Sequence, residues 1–186
     1  PFGHEGEYVI KKIVKENLGK NFYHEKNGLR AVDKLDLLPN DKGSLTNLNL
    51  TYAVRDGIIC HCGEVDENGI FPRDENIDLN TIKKPGQVQP FTWEGCVVKI
   101  SDKIAYLGRD IEDALLLKVI NQSDLQEMYE LAHKYGQKTI NNSVIINELV
   151  NDLIKNSSLK KGISFSNEKQ NFINIIKQFN YDNIYN

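Results

Sequence analysis

The chain has 186 residues, 40% of them hydrophobic and 26% charged, a size and composition suited to one folded core and outside the range of disordered segments. Its net charge of -3 excludes a bulk nucleic-acid binder, which needs a basic surface to release counterions. No apolar run approaches the ~20 residues that span a bilayer, and no charged-then-apolar leader opens the chain, so a soluble, cytoplasmic protein without a membrane partner is expected.

The predicted elements follow in chain order. From Glu5 to Leu18 the apolar residues Val9, Ile10, Ile13, Val14 and Leu18 recur at three- and four-residue spacings, which predicts a helix buried on one side and stopped by Gly19. Leu29, Val32, Leu35 and Leu38 repeat every third residue between Asn27 and Leu38, predicting a second helix closed by Pro39. A turn rich in Gly, Ser and Asn spans Asp41 to Asn47, and Val54, Ile58 and Ile59 predict a third helix over Thr51 to Cys62. Residues 63–95 lose all period among Gly69, Pro72, Pro85, Gly86 and Pro90 and read as one long irregular loop. Cys96 to Ile120 predicts one long helix or a closely bent pair, with Gly108 as the natural bend. Two further helices are expected near Ser123 to Tyr135 and Ile140 to Lys155. Ser166, followed by Glu168 and Lys169, caps a last one carrying Phe172, Ile175, Ile176 and Phe179. No alternating run is long enough for a strand, so the expected fold is all-α.

Three cysteines, Cys60, Cys62 and Cys96, give no disulfide framework and suit a reducing compartment. Cys60-His61-Cys62 lacks the two-residue gap of common zinc motifs and no second pair follows; buried thiols on a helix are the expectation there. His61 is read as structural, and His133 as complementing a helix end. The chain opens at Pro1 and its one Met is Met128, so it is read as part of a longer protein.

Two groupings could carry chemistry. His4 and Glu7 stand three residues apart, on one helical face, about 5–6 Å apart at their β-carbons. A carboxylate beside an imidazole fixes its orientation and suits it to proton transfer; the same spacing also suits an exposed cap and a carboxylate complementing the helix dipole. Asp102, Tyr106, Asp110 and Asp113 fall at i, i+4, i+8 and i+11 with Lys103 beside them, one polar stripe in an apolar helix. Such a stripe either meets a cation or forms a solvated face.

Several runs, taken together and in order, resemble the HD-domain deoxynucleotide triphosphohydrolases: Pro1-Phe2-Gly3-His4-Glu5-Gly6-Glu7, Phe22 to Arg30, Asn49 to Ile59, Val97 to Tyr106 with Asp110 to Asp113, and Asn180 to Tyr185. The resemblance spans the chain and implies an all-α HD-type fold that hydrolyses a deoxynucleoside triphosphate to deoxynucleoside and triphosphate. It implies a divalent metal ion held by a His, a His-Asp pair and a final Asp, with Asp102 matching the last and the others lying upstream of Pro1, so the site is incomplete in this chain and no turnover by the chain alone is expected. His4, Glu7 and His24 match the catalytic His and carboxylate cluster. Lys103 matches a phosphate-contacting position, and Tyr106 and Asp110 match positions that read the sugar. A homo-oligomer is implied, with nucleic acid only as a regulator. Other HD-type nucleotide phosphohydrolases, or a non-catalytic nucleotide-binding or oligomerisation module, are the competing readings.

Overall fold

The computed structural model describes residues 3–63, 69–126, 129, 130 and 141–185, with side chains from Gly6 onward. The chain folds into two compact units, Pro1–Val65 with Pro72–Lys99, and Asp66–Phe71 with Ile100–Asn186. The fold is mostly helical, and among the described residues no helix is long and apolar enough to cross a membrane.

In the first unit, α1 (Gly3–Leu18) ends where Gly19 takes φ +62 and its N–H bonds the Lys15 carbonyl at 3.1 Å, the left-handed stop expected of a glycine. Its apolar stripe is not buried as expected. Val9 and Ile13 are each 51% exposed and Leu18 65%, because the period reports an apolar face and not what covers it. The second predicted helix is also corrected. Helix α2 (His24–Arg30) passes through a π-helical turn, Ala31–Leu35. Strand β1 (Leu37–Pro39) then pairs antiparallel with β2 (Leu45–Asn47), Leu38 opposite Thr46. The turn between them is set by Asn40, whose Oδ1 accepts the Lys42 and Ser44 N–H groups at 3.0 Å, an Asx turn that redirects the chain into a hairpin.

Helix α3 (Tyr52–Cys60) carries the core of this unit. Leu29, Ile59, Cys60, Leu79 and Ile82 are buried together, with Val32, Tyr52, Ile58, Ile77 and Val88 against them. Leu79 and Ile82 come from the irregular segment after Pro72, so that segment is part of the core. Asp56, 1% exposed, ties it down. Its carboxylate pairs with Arg73 and accepts the Phe91 N–H at 2.7 Å. Arg73 donates in turn to the Tyr52 hydroxyl and the Gln89 carbonyl, each at 2.7 Å, while the Tyr52 hydroxyl donates to the Ile77 carbonyl at 2.9 Å. A buried ion pair is tolerated when its remaining polar atoms are satisfied this fully.

Helix α4 (Trp93–Leu116) begins in the first unit. In the second unit its residues Ile100, Ile104, Leu107 and Ile111 are buried, as are Ile145 and Leu149 of α5 (Asn142–Asn156) and Phe172, Ile173 and Ile176 of α6 (Asn167–Asn180). Gly108 does not interrupt the helix. A Cβ there would lie 2.9 Å from the Asn142 Cα, so glycine serves close packing against α5. Asn141 and Ser166 cap α5 and α6, accepting from the Val144 and Lys169 N–H groups. The helix expected over Ser123 to Tyr135 lies largely outside the described residues, as does His133; its start is the short 3-10 turn Gln122–Leu125.

Candidate functional site

Three helix ends in the first unit bring together the residues with chemistry to offer. Helix α1 supplies Glu7, α2 opens with His24, and α3 closes at His61 with Cys62 just beyond. Glu7 and His24, 17 positions apart in sequence, meet with Glu7 Oε1 3.1 Å from His24 Nδ1. The Glu7 side chain is 14% exposed and that of His24 44%. Burial opposes the charge on Glu7, but hydrogen bonds from Lys11, at 2.9 Å, and from His24 outweigh it and hold the carboxyl below its ordinary range.

An ionised carboxylate only accepts, so Nδ1 of His24 carries the proton it donates to Glu7. In the neutral ring that leaves the lone pair on Nε2, which faces the Cys62 Sγ at 3.2 Å. His61 is set the same way, its Nδ1 2.7 Å from the Ile58 carbonyl oxygen, an atom that also only accepts. The two rings meet edge to face with centroids 5.8 Å apart. Beside them Glu25 is 4% exposed, and among the described residues neither of its carboxylate oxygens has a hydrogen-bond partner; Oε1 lies 3.7 Å from His24 Nε2.

The other thiols behave as expected for buried cysteines. Burial, reinforced by the nearby Asp56 charge, pushes the Cys60 thiol up to about 12, and burial pushes Cys96 up to about 11. Neither is a thiolate near neutral pH.

The sequence singled out His4, Glu7 and His24 as one cluster. The structure brings Glu7 and His24 together, whereas the His4 side chain lies outside the described residues. Of the positions on α4, Asp102 is exposed, Lys103 is buried, and Tyr106 and Asp110 are half-buried. Asp110 accepts a hydrogen bond from the Tyr185 hydroxyl, so the C-terminal segment that carried the resemblance is fastened to the same helix face. Burial and then the Asp110 carboxylate raise the Tyr185 hydroxyl well above its usual range. Asn180 also ties the end of α6 to α4, its Nδ2 donating to the Leu107 carbonyl at 3.2 Å. Asp102, a single exposed carboxylate, does not by itself fit a divalent ion that needs several ligands. Sequence reasoning missed Glu25 and Tyr185, and treated His61 as structural.

No family model matches the chain. Whole-length comparison with curated proteins finds a "Deoxyguanosinetriphosphate triphosphohydrolase-like protein" of Caldanaerobacter subterraneus subsp. tengcongensis, 34% identical over 188 residues, covering 100% of this chain and 43% of that protein. Proteins of the same description from Clostridium tetani and Rickettsia bellii are 30% and 29% identical, covering 99% and 97% of this chain and 45% and 48% of theirs. The chain thus spans less than half the length of the curated relatives it matches.

Proposed function

We propose, on the premise that this chain belongs to the deoxyguanosinetriphosphate triphosphohydrolase-like family, that it serves the hydrolysis of a deoxynucleoside triphosphate to the deoxynucleoside and inorganic triphosphate. The observation that carries the reading within the chain is the Glu7–His24 pair at 3.1 Å, two of the residues that the resemblance marks as catalytic. Glu7 holds the imidazole with Nδ1–H toward itself and so presents Nε2 for proton transfer. That nitrogen takes a proton from attacking water or returns one to the leaving oxygen, a role that contributes roughly 10²–10⁴-fold in rate. His4 belongs to the same proton-handling set.

Lys103 neutralises charge developing on the phosphates. Tyr106 and Asp110 contact the sugar, with Asp110 oriented by the Tyr185 hydroxyl. The divalent ion implied by the family supplies further charge stabilisation when the full ligand set is present, Asp102 being this chain's contribution to it. A homo-oligomer belongs to the same reading: Tyr8, Val9, Ile13 and Leu18 leave α1 with an exposed apolar stripe of the kind a subunit contact covers. Cys60, Cys62 and Cys96, none of them in a disulfide among the described residues, support a reducing, cytoplasmic setting.

Product analysis tests the reading. In the protein carrying the complete metal-ligand set, dGTP is expected to yield deoxyguanosine and triphosphate, and His24→Ala to lower kcat by about 100-fold or more. Release of orthophosphate or pyrophosphate would move the protein to another class of HD-type nucleotide phosphohydrolase.

A further inference from the structure

We infer that His24, His61 and Cys62 form a zinc site, distinct from the divalent site to which Asp102 is matched. One ring nitrogen of each histidine and the Cys62 Sγ all lie within 4.8 Å of one another. Tetrahedral zinc, with bonds of about 2.0 Å to nitrogen and about 2.3 Å to sulfur, holds such ligands about 3.5 Å apart. The 3.2 Å between His24 Nε2 and Cys62 Sγ needs a few tenths of an ångström of adjustment.

The outer partners point the same way. Metal-bound histidines characteristically donate their other N–H to a carboxylate or a backbone carbonyl, which fixes the tautomer and turns the lone pair on the ion. Here His24 donates to the Glu7 carboxylate and His61 to the Ile58 carbonyl, so the ring nitrogen left with a lone pair is Nε2 in both. Two imidazoles and a thiolate form a soft donor set that prefers zinc to magnesium or calcium.

Glu25 supplies an independent observation. Burying a carboxylate without hydrogen bonds is costly unless a cation stands nearby, and among the described residues the Glu25 carboxylate has no hydrogen-bond partner while its Oε1 is 3.7 Å from His24 Nε2. A divalent ion beside the Cys62 thiolate and the Glu25 carboxylate makes a neutral group. On binding, Cys62 gives up its thiol proton to solvent and its sulfur bonds the ion; nothing is oxidised or reduced. Three protein ligands leave the fourth position to water or to Glu25. Zinc held there takes the His24 Nε2 lone pair that the proposed proton transfer uses, so the two roles exclude each other and the zinc-loaded form is the one without turnover.

Zinc stoichiometry measured after loading the full chain and dialysing it tests this. One zinc per chain is expected, lost in Cys62→Ser and in His61→Ala, kept in Cys60→Ser and Cys96→Ser, and weakened about 10–100-fold in Glu7→Gln. A measurement on the unmutated chain guards against misfolded variants: cobalt in place of zinc is expected to give a sulfur-to-metal charge-transfer band, and zinc to protect Cys62 from alkylation. No retained zinc, retention unchanged in Cys62→Ser, or cobalt bound without the sulfur band would each overturn the assignment.

Discussion

Asp56 and Glu25 are both buried carboxylates on neighbouring helices of the first unit, 1% and 4% exposed, yet their surroundings are opposite. Asp56 is saturated by Arg73, by the Phe91 N–H and by the Cys60 thiol. Among the described residues the Glu25 carboxylate oxygens have no hydrogen bond, and Oε1 sits against an imidazole. The first arrangement is what a fold does with a charge it uses as a fastener. The second leaves buried carboxylate oxygens without hydrogen bonds among the described residues, a cost that a nearby cation would relieve.

The contrast is broken most severely by Asp56→Ala. It strands the Arg73 guanidinium and releases the irregular segment, at a cost of about 3–5 kcal/mol in urea unfolding; a loss below 1 kcal/mol would make the hub ornamental. Glu25→Met is expected to go the other way. In metal-free protein, removing the unpartnered charge raises stability by about 1–3 kcal/mol, and the extra stability that zinc gives the wild type shrinks in the variant. A destabilised metal-free Glu25→Met chain would show that Glu25 has a partner in solution.

Smaller again is the alkaline limb of stability. Cys60 has its folded value raised from 9.0 to about 12, so its contribution is complete below pH 9. It falls as pH climbs toward 12, because the unfolded chain sheds a proton that the folded one keeps. Cys60→Ala should flatten that limb. The smallest effect is acidic: the Glu7 carboxyl lies below its ordinary value of 4.5, so its contribution is present above pH 4.5 and is lost as pH falls through the folded value. Glu7→Gln removes that loss, and an acid limb identical in the two proteins would place the Glu7 hydrogen bonds outside the folded state's energetics.

Where local rules govern, the sequence was readable. Ser166 capping α6, Gly19 ending α1 and the apolar series of α5 each depend on residues within a turn or two of one another. The hairpin was not, because strands of three residues are too short for alternation and Leu35 and Leu38 continued a helical period past the real turn. The Asp56–Arg73 fastener joins positions 17 apart with no pattern between them. The cluster at Cys62 was passed over for the same reason: spacing within Cys60-His61-Cys62 argued against a metal, whereas His24, 38 positions upstream, is brought in by folding. Spacing singled out Glu7 beside His4, whereas its pairing with His24 was legible only through resemblance.

The proposed proton transfer and the proposed zinc binding exclude each other, yet each needs the His24 ring to hold its proton on Nδ1, toward Glu7, and its lone pair on Nε2. Long-range proton–nitrogen NMR of the histidine side chains reads this directly. The expected spectrum shows His24 as the Nδ1–H tautomer in the metal-free protein, with its Nε2 resonance displaced when zinc is added. A metal-free His24 protonated on Nε2, with Nδ1 bare toward Glu7, would contradict the account at its centre.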